Sequence, residues 1–232
     1  VQPLMGTLPT RQRYWARSLV GWPMFHVARP NSAHHALAAM EAAGRIELLL
    51  TQNVDRLHQR AGSHAVIDLH GRLDVIVCMD CGQRSPRDAF QATLLARNPG
   101  FAHLDAGIPP DGDAALAGTD FSGFDIPACP HCGGVLKPDV VFFGENVPRP
   151  RVQTAMDALA ASDAMLVVGS SLMVRSGLRF VEAATALGKP VAAINLGRTR
   201  ADELLALKVE EACGVALEDV VKALIVGARA TV

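Results

Sequence analysis

Charge of one sign is missing from this sequence. Its 22 basic and 23 acidic side chains leave a formal net charge of -1 over 232 residues, so no global positive field exists to hold nucleic acid or an anionic membrane. Lysine is scarce, confined to Lys137, Lys189, Lys208 and Lys222, which argues further against a DNA-binding zinc protein. Long apolar runs are missing too. Stretches such as 164–168 and 140–143 stop far short of the ~18 residues a membrane-spanning helix needs. Nothing near Val1 joins a basic segment to a long apolar one, so no secretory signal is expected. Five cysteines are too few for a disulfide framework in a chain of this length, and four of them form two CxxC pairs. That pattern favours metal in a reducing compartment. Together with the excess of Arg over Lys and the abundance of Ala, it predicts a cytoplasmic protein of a GC-rich bacterium, or a mitochondrial one in a eukaryote.

What is present is apolar: half of the residues are hydrophobic, enough for the core of one large or two modest domains. Branched aliphatic runs at 46–51, 66–69, 164–169 and 190–195 read as strands buried on both faces. Helical patterns at 34–43, 151–161, 176–187 and 217–226 alternate with them. The alternation predicts an α/β fold with a doubly wound parallel Rossmann-like sheet, whose ligands bind beyond the carboxyl ends of the strands. Residues 75–136 break the rhythm and predict a small zinc-binding module. Residues 10–29, with Tyr14, Trp15, Trp22 and Phe25, predict a helical insert that turns extended at Trp22-Pro23. The expected organisation is a sheet domain formed by 1–74 and 137–232, with the module at 75–136 between its two parts.

Cys78-Met-Asp-Cys81 and Cys129-Pro-His-Cys132 each have the spacing that lets two thiolates grip one ion from a tight turn. Four thiolates close a tetrahedral zinc shell with no open position, which makes the ion structural. Gly82 and Gly133-Gly134 follow the pairs, where such a turn calls for positive φ. His131, inside a knuckle, is expected to face solvent.

After the first apolar run comes Thr51-Gln52-Asn53-Val54-Asp55-Arg56-Leu57-His58. These amides and the carboxylate suit a carboxamide and ribose hydroxyls at a strand end. An ordinary turn whose Asn and Asp cap the next helix fits the same residues. The second run ends in His70-Gly71, where an imidazole can serve as a general base or as a structural group.

Taken in order, 51–58, Leu69-His70-Gly71, the two CxxC pairs, Lys137-Pro138-Asp139-Val140-Val141-Phe142-Phe143-Gly144-Glu145, Val168-Gly169-Ser170-Ser171-Leu172 and Ile194-Asn195-Leu196-Gly197 resemble the sirtuins. The resemblance covers nearly the whole chain. Residues 11–17, Gly21-Trp22-Pro23 and Pro110-Asp111-Gly112-Asp113 look most like the class II branch. The resemblance implies an NAD-dependent protein-lysine deacylase, which moves the acyl group of an acylated lysine in a protein or peptide to ADP-ribose and releases nicotinamide. NAD is then the co-substrate and one zinc ion is structural.

By the same resemblance His70 is the base acting on a ribose hydroxyl. Asn53, counted with it as catalytic, lines the nicotinamide pocket with Asp55, and Gln52 reaches the nicotinamide ribose. Gly169, Ser170 and Ser171 lie near phosphates and adenosine, Asn195 and Leu196 at the adenosine ribose, and Cys213 near adenine. Val141, Phe142, Gly144 and Glu145 form one wall of the acyl-lysine channel, with Val174 on the other, so that a peptide adds as a strand. Tyr14 and Arg17, one helical turn apart, resemble the pair that reads a carboxylate on the acyl chain, which predicts a preference for acidic or lipoyl-type acyl groups. Sirtuins also open with a strand and a Gly-Ala-Gly-Ile-Ser loop that is not in this sequence, so a polypeptide beginning at Val1 is expected to bind NAD poorly. The alternatives are a weakly catalytic zinc-ribbon interaction module and an ADP-ribosyltransferase.

Overall fold

A computed structural model describes residues 3–104 and 118–226. The segment Pro110–Asp113 quoted above lies outside the described residues. In chain order the elements are α1 (Pro3–Gly6), α2 (Leu8–Val27), α3 (Ser32–Ala42), β1 (Leu49–Thr51), α4 (Leu57–Arg60), β2 (Val66–Asp68), β3 (Gly71–Cys78), β4 (Arg84–Pro86) and α5 (Arg87–Arg97). They continue with β5 (Leu136–Val140), α6 (Arg149–Ala161), β6 (Met165–Val168), α7 (Arg175–Ala186), β7 (Val191–Ile194), β8 (Leu207–Val209) and α8 (Cys213–Val221). Among the described residues no helix is long and apolar enough to cross a membrane.

The chain forms two compact units that interleave along the sequence. One takes residues Arg29–Gln52, Arg56–Leu69 and those from Val147 on; the other takes the residues up to Ala28, Asn53–Asp55 and His70–Asn146.

In the first of these units every ladder is parallel: β1 pairs with β2, and β6, β7 and β8 pair in that order. Successive strand residues point to opposite faces, and here both faces are apolar. Val167 and Ala193 join Leu159 of α6 and Leu178, Val181 and Ala184 of α7 in one cluster. Their neighbours Val168 and Ile194 join Ala36, Leu37 and Met40 of α3 and Leu217 of α8 in another. Helices therefore cover the sheet on both sides, the doubly wound arrangement that continuous aliphatic runs predict. Val181 and Leu217 are fully buried, and burial of each such side chain stabilises by about 1.5–3 kcal/mol. Helix α3 starts where expected for its capping chemistry: Asn31 Oδ1 accepts from the His34 amide at 3.2 Å and His34 Nδ1 faces the Asn31 amide at 3.3 Å. Strand β8, absent from the sequence reading, is short and has exposed Leu207 and Val209, so its composition carries no buried-strand signal.

The second unit is antiparallel, β4-β3-β5, with a register shift between Arg72 and Ile76. Helices α2 and α5 bury Trp15, Leu19, Phe90 and Leu94 with Ile76, Phe124 and Leu136. The expected break at Trp22-Pro23 does not occur: α2 continues to Val27 with Pro23 inside it. Gln91 supplies the donor that proline removes, giving its Nε2–H to Leu19 O at 2.9 Å. Here tertiary contacts override the local bias against helix before proline.

Candidate active site

The four paired cysteines meet in the antiparallel unit. Their sulfurs all lie within 4.8 Å of one another, with Cys78 and Cys132 Sγ 3.5 Å apart and Cys81 and Cys129 Sγ 3.8 Å apart. These spacings are far from the ~2 Å of a disulfide. They match the ~3.8 Å edge of a tetrahedron whose centre is ~2.3 Å from each sulfur. The knuckles are built alike. The Gly82 amide donates to Cys78 O at 3.0 Å and the Gly133 amide to Cys129 O at 2.8 Å, with φ of 72° and 75°. Gly134 has a different reason to be glycine: a Cβ there would sit 2.2 Å from Asp80 Oδ2. His131 is exposed and outside the sulfur cluster. Amides of Cys81 and then Asp80 favour the Cys78 thiolate and draw its pKa down to about 7. At Cys132 the Gly134 amide favours the thiolate, but the Cys81 and Cys78 sulfurs outweigh it and push the thiol up to about 12. Four crowded sulfurs ionise together only around a cation. The cluster fits one closed, structural zinc ion.

The same unit positions His70. Gly71, at φ +85°, opens β3 so close to β5 that a Cβ on it would lie 2.0 Å from Asp139 O. Only glycine permits that approach, and it brings His70 O within 2.8 Å of the Val141 amide. Asn53 and Asp55 flank Val54, whose carbonyl accepts from the Leu73 amide at 2.9 Å. Thus His70, Asn53, Asp55 and Val141 are all anchored on the start of β3 or on its neighbour β5.

Beyond β5, residues 141–145 form a loop tied from inside. The Phe142 amide donates to Glu145 Oε2 at 2.6 Å, the Glu145 amide donates to Phe142 O at 2.9 Å, and Gly144 turns the chain at φ +88°. Lys137 Nζ donates to both Glu145 oxygens at 3.0 Å and lies 5.1 Å from the Phe142 ring centroid. Tyr14 on α2 packs edge-on to Phe142, with centroids 5.4 Å apart. Phe143 is 94% exposed, an unusual position for a phenyl ring.

In the parallel unit the carboxyl ends of three strands supply a second group. Gln52, just past β1, donates from Nε2 to Ser170 Oγ at 3.1 Å just past β6. Gly177 of α7 makes room for it, since a Cβ there would fall 2.8 Å from the Gln52 amide carbon. The Gly169 amide donates to Ile194 O at 2.9 Å, and Cys213 Sγ lies 3.5 Å from the same carbonyl. Asn195, past β7, is buried and closes its own turn, giving Nδ2–H to Leu196 O and Gly197 O at 2.9 and 3.2 Å. Ser171 O accepts from the Arg200 amide at 2.9 Å, and Val174 caps the start of α7. Leu172, buried at φ +56°, holds the turn between Ser171 and Val174 in a left-handed conformation rare for a branched side chain. This is the end of a doubly wound sheet at which nucleotides bind.

Residues 5–176 match the Sir2 family. The chain belongs to the sirtuins. A protein from Xanthomonas campestris pv. campestris strain 8004, named NAD-dependent protein deacetylase, is 68% identical over 216 residues, covering 93% of this chain and 74% of its own length. A solved Sir2–p53 peptide–NAD+ complex has 30% identity and a TM-score of 0.69 over 87% of this chain and 72% of that one. Sir2Tm bound to a propionylated peptide has 26% identity and a TM-score of 0.72 over 94% and 86%.

Within this sirtuin, the residues expected from sequence fall into the two groups just described. Asn53, Asp55, His70, Val141, Phe142, Gly144, Glu145, Tyr14 and Arg17 belong to the antiparallel unit, and Gln52, Gly169, Ser170, Ser171, Val174, Asn195, Leu196 and Cys213 to the parallel one. Three further residues stand out beside them: Lys137, which fastens the 141–145 loop, exposed Phe143, and Leu172 with its left-handed backbone. Lys137 has a sequence signal, being one of so few lysines and preceding a carboxylate by eight positions. Leu172 has none, because a leucine announces nothing about its φ.

Proposed function

We propose that this chain is an NAD-dependent protein-lysine deacylase acting on acylated lysine in proteins or peptides. The observation that carries this reading is the anchoring of His70 by Gly71 against Val141, beside the 141–145 loop and in one unit with Asn53 and Asp55. The names of close relatives support it. In the reaction the acyl-lysine carbonyl oxygen bonds to the ribose anomeric carbon as the bond to nicotinamide breaks. His70 then accepts a proton from a ribose hydroxyl, whose oxygen attacks the bound acyl carbon. Water completes release of the lysine amine, and the acyl group leaves on ADP-ribose. Neutral imidazole suits that task near physiological pH. Asn53 and Asp55 would take nicotinamide, Gln52 its ribose, and Gly169, Ser170, Ser171, Asn195, Leu196 and Cys213 the rest of NAD. Val141, Phe142, Gly144 and Glu145 hold the acyl-lysine segment.

With NAD at saturating concentration, mixing the chain with an acetyl-lysine peptide is expected to release nicotinamide in step with free lysine. His70→Ala is expected to lower that rate by roughly 10²–10⁴-fold, the weight of a positioned general base. Equal rates for the two proteins would remove His70 from the mechanism.

The edge-on contact of Tyr14 with Phe142 favours a second, finer reading, in which Tyr14 and Arg17 read the acyl end and prefer a carboxylate or lipoyl chain over acetyl. Turnover fastest on the acetyl peptide of a panel with glutaryl and lipoyl peptides counts against it.

A further inference from the structure

Pro23 has no amide hydrogen, so Leu19 O, four residues earlier in α2, has lost its helical donor, and the proline ring crowds that carbonyl. Leu19 is buried, 2% exposed, where an unpaired carbonyl is costly. Helix α5 repairs the defect. Gln91 Nε2 donates to Leu19 O at 2.9 Å, and Arg87 Nη2 donates to Ser18 O at 3.2 Å and to Ser18 Oγ at 3.1 Å. Residues four apart on a helix share a face, so both donors reach α2 together. Around Pro23, Trp22 Nε1 donates to Asp88 Oδ1 at 3.0 Å, and the Arg87 guanidinium lies 4.8 Å from the centroid of the Trp22 ring. The fit is one-sided. Gln91 must present its NH2 to Leu19, and its buried Oε1 has no hydrogen-bond partner among the described residues. Arg87, 1% exposed, likewise keeps Nη1 buried without one. Such costs persist where a particular geometry is being held.

The geometry held is the turn that follows Tyr14. Trp15 packs edge-on to Phe90 of α5 at 4.7 Å, and Tyr14 beside it meets Phe142. We propose that Gln91 and Arg87 are positioning residues for the acyl end of the substrate, replacing the helix bond that Pro23 removes and thereby fixing Tyr14 against Phe142. The proposal rests on the reading of Tyr14 and Phe142 as acyl-lysine contacts.

The test is a double-mutant cycle, because Pro23→Ala returns an amide hydrogen to Leu19 O and makes the Gln91 donor redundant. Gln91→Leu, Pro23→Ala and their combination are compared with the parent for KM of peptide, KM of NAD and the ratio of kcat/KM on acetyl against longer acyl peptides. Gln91→Leu is expected to move peptide KM and the acyl ratio by about 5- to 30-fold, while NAD KM changes by less than about twofold. In the combined variant the acyl ratio is expected to return to that of Pro23→Ala alone. Arg87→Lys, which keeps a charged donor nitrogen but loses the planar stack on Trp22, is expected to move the ratio the same way by less, and serves if Gln91→Leu does not fold. A Gln91→Leu chain that melts earlier with an unchanged acyl ratio overturns the proposal, as does a ratio that Pro23→Ala fails to restore. Failure of the deacylase reading itself shows in the parent chain, as absent nicotinamide release, before any variant is compared.

Discussion

At the scale of single residues, glycine and aspartate set the hardest local limits. Gly71 combines a left-handed φ with a backbone oxygen where a Cβ would be, so Gly71→Ala must push β3 away from β5. The expected loss is at the upper end for a single substitution, about 3 kcal/mol. It is read as a lower denaturation midpoint together with slower turnover, since His70 moves with the turn. Asp202 sets a pH limit. The Thr199 hydroxyl donates to Oδ1 at 2.6 Å and Lys208 Nζ to Oδ2 at 2.9 Å, and these, in that order, lower its pKa from 3.8 to about 2. A carboxylate with a depressed folded-state pKa stabilises the fold above its unfolded pKa, and that contribution disappears as pH falls to the folded value. The urea midpoint of the parent should therefore exceed that of Asp202→Asn at neutral pH, and the gap should close between about pH 4 and about pH 2. A gap that widens toward acid contradicts the assignment.

At the scale of elements, the knuckles and the 141–145 loop are small structures held by a few interactions each. Without a cation the four sulfurs repel once ionised, and without the Lys137–Glu145 pair the Phe142 amide and Glu145 no longer share a fixed turn. Lys137→Met is expected to raise KM for an acyl peptide by roughly 5- to 30-fold while leaving KM for NAD within about twofold, the scale of one or two kcal/mol at a single loop. Steady-state kinetics with each substrate varied in turn decides it, and equal shifts in both constants would mean general loosening. Elements differed in how plainly they could be read. The strands at 49–51, 66–68, 165–168 and 191–194 were legible because burial on both faces writes continuous aliphatic runs. The cysteine knuckles were legible because ligand spacing is chemistry. Helix α2 was misread past Trp22, since the donors that carry it through Pro23 come from α5, more than sixty positions later. The ties that shape the site, Gln52 to Ser170 and Lys137 to Glu145, join residues whose types are ordinary; their pairing exists only once the chain is folded.

At the scale of the whole molecule, the zinc cluster and the strand-end group belong to separate compact units, so each should respond to its own perturbation. The ion closes a loop that leaves at Cys81 and returns at Cys129, and thiolate ligation contributes directly to folding. Its uptake must release protons from thiols, so affinity falls as pH drops. Chelation at mildly acid pH, or Cys129→Ser, is expected to remove zinc and raise amide exchange in β3, β4 and β5 by orders of magnitude. Protection of β6 and β7 should change little, because their cluster of Val167, Ala193, Leu178 and Val181 lies within the parallel unit. Hydrogen-exchange mass spectrometry on the chelated and zinc-loaded chain reads both units at once. Exchange that rises equally in β6 and β7 would mean that the two units unfold together, and that zinc stabilises the molecule as a single cooperative body.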